Sequence, residues 1–456
     1  MPSDLSRVLT CFSDLDHEPG TAVYPHNQEV LAYLHRYAGL FGLTADTRLR
    51  SLVERVDRDA SSDGWNVGWV SAAGERYTER FASVIIASGR YNKPRTLPLP
   101  GISSFSGSGG VSHTFQYKNY CGQYRDQRVL VAGSSISAHE IASDLAMSGA
   151  ARVISSCRRQ RYIIPKLLGG LPAEHVLCTR FAALAAEIKT LDQVAREFKE
   201  LLLRFYGSPE QFGALRPASD DIFEAGISLS QYFLPLVAEG RIVPKPWISA
   251  IEGQTVHFID GSAESIDAIV CGTGFDLHLP FLSEGVRRTL RIDADHMDLH
   301  EFTFHPELPG LAFLGMFALQ GPYFPVLELQ ARWVAYVWSG TRQAPSRAAM
   351  EAGVAAYRAQ LGAPQDRPMH PVALLFAREA GVEPDPWNWP DLARALLFGP
   401  LSPVSFRLSG PDKLPDAAER SAASARAFGA VPSPEFTTEQ RAQLEILGSI
   451  GKAPAL

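Results

Sequence analysis

The sequence predicts an α/β protein with parallel sheets and a nucleotide-binding unit in the interior of the chain. Short apolar strand patterns alternate with helical patterns along much of the 456 residues, which is typical of parallel sheets. A strand, a Gly/Ser-rich turn and a helix follow one another at residues 128–147. No comparable turn precedes this unit, so we expect an inserted nucleotide domain. That arrangement predicts more than one cofactor, in the present protein or in an ancestor of it.

The first hundred residues contain one helical pattern and several strand patterns. Residues 26–42 form an amphipathic helix pattern whose apolar side chains share one face: Val30, Leu31, Leu34, Tyr37, Ala38 and Phe41. Strand-like runs follow at residues 49–56, 65–69 and 84–86. The link YNKPRTLPLPG at residues 91–101 is too rich in proline for a helix or a central strand.

The remaining elements continue the alternation. Strands are predicted at residues 128–132, 152–156, 266–270 and 311–315, and helices at 137–147, 181–206 and 326–338. The loop GMFALQGPYFP precedes the last of these helices. Beyond about residue 400 the chain is rich in Pro, Ser and Ala, so we expect an irregular tail.

The turn after the strand at 128–132 has the layout of a dinucleotide-binding fingerprint. In that fingerprint, glycines allow a tight turn, close approach of the backbone to the pyrophosphate and close packing of helix on strand. The three positions here are Gly133, Ser135 and Ala138, so glycine is kept only at the first. The helix N-terminus still offers free N–H groups and a positive dipole end to the phosphates. The alternative is a purely structural strand–turn–helix unit.

The end of the next strand indicates which dinucleotide is preferred. An enzyme that uses NADH usually carries Asp or Glu at this point, whereas arginine suits the 2′-phosphate of NADPH. The chain has Arg158 and Arg159 there, which favours NADPH. The alternative is a solvated basic corner formed by these two residues and Arg161.

Composition excludes several classes of protein. Charged residues make up 20% of the chain and its net charge is −6, so nothing indicates a nucleic-acid partner. No apolar run reaches the roughly 18 residues that a membrane helix needs, and the N-terminus lacks the apolar core of a signal peptide. The five cysteines are scattered, which predicts reduced thiols in a cytoplasmic protein and argues against a dithiol reductase: Cys11, Cys121, Cys157, Cys178 and Cys271. Homo-oligomerisation is left open.

The segment ahead of the nucleotide unit contains Phe105-Ser106-Gly107 and then His113-Thr114-Phe115-Gln116-Tyr117. This segment resembles the signature of the flavin-containing monooxygenase family, a group of flavoproteins that bind two dinucleotides. The family signature is Phe-x-Gly, a short spacer and His-x-x-x-Tyr or Phe, and the spacer here is about two residues longer than usual. The final Tyr of the segment, where the related Baeyer–Villiger enzymes have Trp, argues against ketone oxygenation.

Further matches to this family extend over nearly the whole chain. They are CFSD at 11–14 with YPHNQEVLAYLHRYAGLFGL after it, IASG at 86–89, VCGTGF at 270–275, LPGLAFLGM after His305-Pro306, FPVLELQARW at 324–333 and FRLSGP at 406–411. The resemblance implies two Rossmann-like domains, with the NADP domain inserted into the FAD domain. It implies FAD-binding residues 1–125, NADP-binding residues 126–276, and a second FAD-binding part with the C-terminal tail at 277–456.

The family opens with a strand, a GxGxxG turn and a helix that bind FAD, and this pattern does not occur ahead of the residues listed above. We therefore expect an FAD domain truncated at its N-terminus. Two explanations stay open. The sequence is a fragment or begins at an internal methionine, or the protein has lost flavin binding and is a non-catalytic NADP-binding protein.

The resemblance implies an NADPH- and FAD-dependent monooxygenase similar to N,N-dimethylaniline monooxygenase. Such an enzyme transfers one oxygen atom from dioxygen to an amine nitrogen or a sulfide sulfur through a flavin hydroperoxide. Position in the pattern then implies roles for individual residues. The pyrophosphate is faced by Gly133, Ser134, Ser135, Ser137 and Ala138, and the 2′-phosphate is held by Arg158 and Arg159. Glu140 lies near the nicotinamide side, and His113 links the signature to the nicotinamide cofactor. The domain junction contains Gly272 and Thr273, and the border of the flavin or substrate contains Gln320 and Gly321. No metal site is expected.

Overall fold

The computed structural model describes residues 3–59, 63–95, 98–118, 122–362 and 366–449. Within these ranges, strands and helices alternate along most of the chain. The strands are β1 (Leu52–Arg58), β2 (Trp65–Val70), β3 (Arg76–Phe81), β4 (Val84–Ile86), β5 (Lys93–Pro94), β6 (Gly110–His113), β7 (Arg128–Ala132), β8 (Arg152–Ser156), β9 (Tyr162–Ile164), β10 (Leu167–Leu168), β11 (Leu171–Pro172), β12 (Ile227–Leu229), β13 (Ile242–Lys245), β14 (Ile248–Glu252), β15 (Thr255–Phe258), β16 (Ala263–Ser265), β17 (Ala268–Cys271), β18 (Phe275–Asp276), β19 (Leu311–Phe313), β20 (Ala318–Gln320) and β21 (Asp366–Pro368). The helices are α1 (Asn27–Leu40), α2 (Ile136–Met147), α3 (Ala173–Leu177), α4 (Arg180–Ile188), α5 (Leu191–Phe205), α6 (Ile222–Ala225), α7 (Phe233–Ala238), α8 (Glu284–Thr289), α9 (Phe324–Trp338), α10 (Arg347–Ala359), α11 (Met369–Ala380), α12 (Ala393–Phe398), α13 (Ala417–Arg426) and α14 (Thr438–Ser449).

A five-stranded parallel sheet forms around the predicted nucleotide unit. Its strand order is β13-β8-β7-β17-β6, and every neighbouring pair is parallel. The central residues Val129, Leu130 and Val131 of β7 are fully buried, as expected when helices or loops cover both faces of a parallel sheet. The predicted α/β class with parallel sheets is confirmed.

The order of the strands reverses at β7. The chain leaves β7 through α2 and returns as β8 on one side, whereas β17 and then β6 lie on the other side. Ligands of open α/β sheets bind outside the carboxyl ends of the strands at such a reversal. The turn that follows β7 therefore lies at the position where a dinucleotide is expected.

A second, smaller parallel pair is formed by β4 and β19, in register from Val84 and Leu311 onward. The antiparallel sheet β1-β2-β3 lies in the same part of the chain. Trp65 joins this sheet to the loop before β19, because its fully buried indole Nε1 donates to the Pro309 carbonyl at 3.0 Å. The pair β4–β19 brings together the two regions that precede and follow the nucleotide unit in the sequence.

Three predictions about individual elements need correction or refinement. The helix predicted at residues 181–206 is in fact two helices, α4 and α5. Thr190 begins the second helix as its N-cap, because its Oγ1 accepts a hydrogen bond from the Gln193 N–H. The tail is not irregular, since α13 and α14 lie beyond residue 400. Of the Pro-rich link, Lys93 and Pro94 form the short strand β5, and residues 96 and 97 lie outside the described ranges.

Helix α1 is confirmed, but its apolar face is largely exposed. Leu31 and Phe41 are 55% and 45% exposed. The helix is held instead through Tyr33, which is buried and whose hydroxyl donates to the Leu15 carbonyl at 2.9 Å. Amphipathic spacing predicted the helix correctly, but it did not predict which face makes the contacts.

None of the helices in the described residues is long and apolar enough to cross a membrane.

Close packing joins β7, its turn and β17. Gly133 has φ of +140°, and a Cβ on it would lie 2.3 Å from the Gly272 carbonyl oxygen. A Cβ on Gly272 would lie 2.8 Å from the Cβ of Ala138 in α2. Gly133 and Gly272 must therefore be glycine, and residue 138 can be no larger than alanine.

Buried Asp298 joins its own segment of the chain to helix α10. Its carboxylate accepts from Arg358 Nε at 2.8 Å and lies 2.7 Å from His296 Nε2. Burial opposes the charge, but these hydrogen bonds from Arg358 and His296 lower the pKa of Asp298 overall. Asp298 therefore stabilises the fold in its charged form.

We predict that Gly272→Ala lowers the free energy of unfolding by about 1–3 kcal/mol, since the new methyl group must displace α2 from the sheet. Denaturant unfolding of the full chain measures this change. The matched control is Gly39→Ala in α1, where no atom lies within 4 Å of the added Cβ. The control should be neutral or stabilising by up to about 1 kcal/mol. Equal effects at the two glycines would contradict the packing argument.

We predict that Asp298→Asn lowers stability by about 2–3 kcal/mol near neutral pH, because the buried charged hydrogen bonds are lost. The pKa of Asp298 is lower in the folded protein than in the unfolded chain. Its contribution is therefore complete above the unfolded value of about 4 and disappears as the pH falls through the folded value. Thermal unfolding at several pH values should show wild type and variant converging in acid.

The control for this series is Glu284→Gln, which removes an exposed pair with Arg288. That change should cost less than about 1 kcal/mol. A difference between wild type and Asp298→Asn that stays constant down to the acid limit would show that the charge of Asp298 contributes nothing.

Candidate dinucleotide site

The turn after β7 leads directly into the N-terminus of α2. Ser135 is the N-cap, and its Oγ accepts from the Ala138 N–H at 3.2 Å. The Gly133 N–H donates to the Ser156 carbonyl at 2.8 Å, which fixes the turn against the end of β8. The other N–H groups of the first helical turn have no acceptor within the helix. They are therefore available to an anion such as a pyrophosphate.

The remaining side chains of the turn differ in exposure. Ser137 is exposed on the first turn of α2, whereas Ala138 is buried against Gly272. Ser134 donates through Oγ to the Arg159 carbonyl at 2.8 Å. The structure thus brings together the five predicted turn residues and joins them to the predicted arginine segment.

The two predicted arginines have different surroundings. Arg158 is exposed, and its guanidinium lies 4.7 Å from the ring centre of Trp247, which follows β13. Within the described ranges, Arg158 has neither a hydrogen bond nor an ion pair. Arg159, in contrast, donates to the Glu224 carbonyl at 2.9 Å. Arg158 is therefore the one whose guanidinium is free to take a phosphate.

Glu140 lies in the same helix as the turn but is buried. Its Oε1 accepts from Ser230 Oγ at 2.7 Å, and its Oε2 lies 3.1 Å from Lys166 Nζ. The neighbouring His139 is also buried, and burial lowers its pKa to about 3, so it is neutral at physiological pH. Both oxygens of Glu140 have protein partners, and its contact with the nicotinamide side stays a prediction.

The His113–Tyr117 signature connects the end of β6 to α2. His113 caps the short helix that follows, with its Nδ1 accepting from the Phe115 N–H at 3.0 Å. Tyr117 donates through its hydroxyl to Asp144 of α2. The His113 ring meets Phe275 edge to face at 5.1 Å, and burial lowers the pKa of His113. The contacts of His113 are thus with protein groups, and its link to the nicotinamide cofactor stays a prediction.

Gly272 and Thr273 follow β17 at the same edge of the sheet. The Gly272 N–H donates to the Ala132 carbonyl at 2.7 Å. Thr273 donates through Oγ1 to the Arg95 carbonyl at 2.6 Å. Arg95 belongs to the Pro-rich link, so Thr273 joins the nucleotide sheet to the preceding part of the chain, and its place at a domain junction stays a prediction.

Gln320 and Gly321 lie on a different sheet from the turn. Gln320 ends β20, which pairs with β21. Gly321 has φ of +115°, and a Cβ on it would lie 3.0 Å from Met369 Cγ and 3.2 Å from Cys178 Sγ. The geometry requires glycine at 321, whereas the flavin or substrate contact of these two residues stays a prediction.

The described thiols are not activated. Burial raises the pKa of Cys157, which follows β8, to about 11 and also raises that of Cys271. Thiols with such pKa values are protonated and unreactive at neutral pH. The four cysteines in the described ranges are free, and Cys121 lies outside those ranges.

Sequence reasoning missed a buried cluster beneath α2. Lys166 is 4% exposed and lies between Asp4 and Glu140. The one signal in the sequence was a lysine within the apolar run YIIPKLL. A buried lysine requires a paired charge, but only the fold identifies residue 4 as its partner.

Three of the segments that resemble the monooxygenase family meet in space. Ser13 donates through its backbone N–H to Glu328 at 2.8 Å. Arg407 lies 3.2 Å from Asp14 and 3.9 Å from Glu328. The three segments are distant in sequence but pack against one another in the fold: residues 11–14, 324–333 and 406–411.

Comparison with known proteins supports these observations. The family model described as flavin-binding monooxygenase-like matches residues 2–423. The chain is 29% identical over 431 residues to dimethylaniline monooxygenase [N-oxide-forming] 2 of Rattus norvegicus, covering 90% of this chain and 78% of the relative. It is also 29% identical over 435 residues to flavin-containing monooxygenase 5 of the same organism, with the same coverage.

Two solved structures share the fold. S-allyl-L-cysteine S-oxygenase from Allium sativum matches with a TM-score of 0.60 and 24% identity, covering 93% of this chain and 82% of the other. Cyclohexanone monooxygenase with bound epsilon-caprolactone matches with a TM-score of 0.59 and 17% identity, covering 83% and 88%. The family match spans nearly the whole chain, including the five-stranded sheet and the pair β4–β19. The chain therefore belongs to the flavin-binding monooxygenase-like family, whose members are oxidoreductases that use FAD and NADPH.

Proposed function

We propose that this chain is an NADPH- and FAD-dependent monooxygenase that transfers one oxygen atom from dioxygen to an amine nitrogen or a sulfide sulfur. In that reaction the second oxygen atom leaves as water. When bound, NADPH supplies the hydride and FAD activates dioxygen. The protein's own residues bind, orient and enclose these groups.

The observation that carries the proposal is the arrangement at the carboxyl edge of the five-stranded sheet. The N-terminus of α2 lies beside Gly133 and Gly272, and Arg158 lies just after the end of β8. A pyrophosphate on the helix N-terminus and a 2′-phosphate on Arg158 would be the central link and the adenosine side of one bound dinucleotide. The predicted site residues Gly133, Ser134, Ser135, Ser137 and Ala138 would line the first of these positions.

We assign the 2′-phosphate to Arg158 and a supporting role to Arg159. Stacking on Trp247 orients the Arg158 plane without using its N–H groups. Arg159 already donates a hydrogen bond from one guanidinium nitrogen to the Glu224 carbonyl. Its backbone carbonyl, which accepts from Ser134, shapes the pyrophosphate turn.

We place the flavin side of the site at the carboxyl ends of β4 and β19. The Leu314 N–H donates to the Ile86 carbonyl at 2.9 Å, so the two strand ends lie side by side. Gly89 follows β4 with φ of +76°, and no atom lies within 4 Å of the Cβ it lacks. Close approach of a planar ring system is sterically open at this glycine. Gln320 and Gly321 remain our candidates for the border of the flavin or substrate.

The proposed domains follow from this division. We place the NADP domain at residues 126–276, inserted between FAD-binding parts at 1–125 and 277–456. Strand β6, at residues 110–113, contributes the edge of the nucleotide sheet from ahead of that boundary. We also propose a cytoplasmic location, which is supported by the buried, unpaired thiols of Cys11, Cys157 and Cys178. Homo-oligomerisation stays a prediction.

We predict that Arg158→Ala lowers kcat/KM for NADPH by about 10- to 100-fold and for NADH by less than about 3-fold, because a charged fork on the 2′-phosphate is lost. Arg159→Ala should show a smaller loss that is similar for both nucleotides. Steady-state kinetics with the FAD-loaded chain measure both ratios.

The control for the arginine series is Arg152→Ala at the start of β8, which breaks an exposed ion pair with Glu264. It should leave the NADPH/NADH ratio unchanged. An equal loss for both nucleotides in Arg158→Ala would show that Arg158 does not contact the 2′-phosphate.

We predict that thioethers and tertiary amines are better substrates than cyclic ketones, by about 10-fold or more in kcat/KM. The final Tyr117 of the signature favours this outcome over Baeyer–Villiger oxygenation. The measurement is NADPH consumption together with mass analysis of the product, which must gain one oxygen atom. Ester formation from ketones without S- or N-oxide products would favour the alternative.

A further inference from the structure

A buried cluster of three charged side chains joins the N-terminal segment to helix α2. Lys166 Nζ lies 2.7 Å from Asp4 Oδ1 and 3.1 Å from Glu140 Oε2. Asp4 belongs to the N-terminal segment, Glu140 to α2, and Lys166 follows β9. One ammonium group therefore holds two separate parts of the chain together.

The surroundings of this cluster are polar and ordered. Ser230 Oγ donates to Glu140 Oε1 at 2.7 Å, and Tyr24 donates through its hydroxyl to the Lys166 carbonyl at 2.6 Å. A second contact holds the same segments, because the Ser6 N–H donates to Glu174 Oε1 at 2.6 Å. The N-terminal segment is thus fixed to residues 166–174 by both charged and neutral contacts.

The charges in this cluster do not balance. Two carboxylates face one ammonium, and a buried excess charge is unfavourable in a low-dielectric environment. Asp4 is the carboxylate that can take up a proton from solvent and so remove the excess charge. Its side chain is 30% exposed, whereas those of Lys166 and Glu140 are less than 10% exposed. Burial and the neighbouring Glu140 raise the pKa of Asp4 to about 6, against the opposing effect of Lys166.

The cluster lies next to the proposed NADP site through α2. Glu140 follows Ala138, the last residue of the pyrophosphate turn, by two positions in the same rigid helix. The helix whose N-terminus would carry the phosphates is thus held in part through Glu140. The cluster and the nucleotide site therefore share one structural element.

We propose that Lys166 is a positioning residue for the nicotinamide nucleotide, holding α2 through Glu140 and the N-terminal segment through Asp4, so that nucleotide affinity depends on the charge of Asp4. This inference rests on the proposed function, which places the nucleotide at Gly133–Ala138. Protonation of Asp4 breaks its pair with Lys166 and leaves Glu140 as the sole charged partner. Helix α2 then loses its charged tie to the N-terminal segment.

The groups that face Asp4 come from every element packed around it. Lys166 and Glu140 act on it directly, and Tyr24 interacts electrostatically with both Asp4 and Glu174. Burial raises the pKa of Glu174, and it raises that of Tyr24 far above neutral pH. His175, next to Glu174, is kept neutral because burial lowers its pKa to about 4. Burial therefore raises the pKa of two carboxyl groups of this set, Asp4 and Glu174, and Asp4 is the one of the two that pairs with Lys166.

The test is the dissociation constant of NADP⁺ for the full chain, measured calorimetrically from pH 5 to pH 8 for wild type and Asp4→Asn. At pH 8 wild type should bind about 5-fold or more tightly than the variant, as for a typical coupling between sites. At pH 5 the two should agree, because Asp4 is then uncharged in both. Titration of the nucleotide's own phosphate cancels in the ratio of the two constants.

Three further variants separate positioning from a general structural role. Lys166→Arg keeps the charge and should retain the pH dependence, whereas Lys166→Met should abolish it. Asp16→Asn alters a carboxylate of the same segment that pairs with Arg420 at the surface, and it should follow wild type at every pH.

Three results would overturn the inference. The first is a ratio of wild-type to Asp4→Asn affinity that does not change with pH. The second is tighter binding of NADP⁺ by Asp4→Asn than by wild type at pH 8. The third is a loss of the pH dependence in Asp16→Asn. Wild type that fails to bind NADP⁺ at any pH would overturn the proposed function itself, and this inference with it. The two failures are therefore distinguishable.

Discussion

The close approach of β7, its turn and β17 is the constraint on which the proposed site depends. Gly133 and Gly272 have no room for a Cβ, and Ala138 has none for a larger side chain. This contact sets the direction in which α2 leaves the sheet. It therefore determines where the free N–H groups of the helix point and how far they stand from Arg158 on the next strand. An anion site made of backbone needs this precision, because no flexible side chain can compensate for a displaced helix.

Charge is distributed around this contact in two layers. At the surface, Arg158 is stacked but unpaired, which leaves its N–H groups for a ligand. Beneath α2, Lys166 is enclosed by two carboxylates and holds the helix from below. The exposed cation suits recognition of a phosphate, whereas the buried one suits fixing the helix that meets the other phosphates. The exposed arginine and the buried lysine thus have different tasks near the same helix, α2.

The sequence predicted well what short segments encode. The strand, turn and helix at 128–147 and the arginines after β8 were predicted because glycine, small residues and apolar runs act over a few positions. The break at Thr190 was missed because a cap within a continuous helical pattern is weak. Helices α13 and α14 were missed because composition rich in Pro and Ala masked their spacing. The Asp4–Lys166–Glu140 cluster could not be predicted, since its members are distant in sequence and meet only in the fold.

Hydrogen–deuterium exchange with and without NADP⁺ tests the central claim most directly. The account predicts slower exchange in the peptides that contain residues 133–138 and 156–160 when NADP⁺ is present. The second peptide should respond less to NAD⁺, which lacks the 2′-phosphate. Protection by NADP⁺ confined to other parts of the chain, or equal protection of residues 156–160 by both nucleotides, would contradict the account.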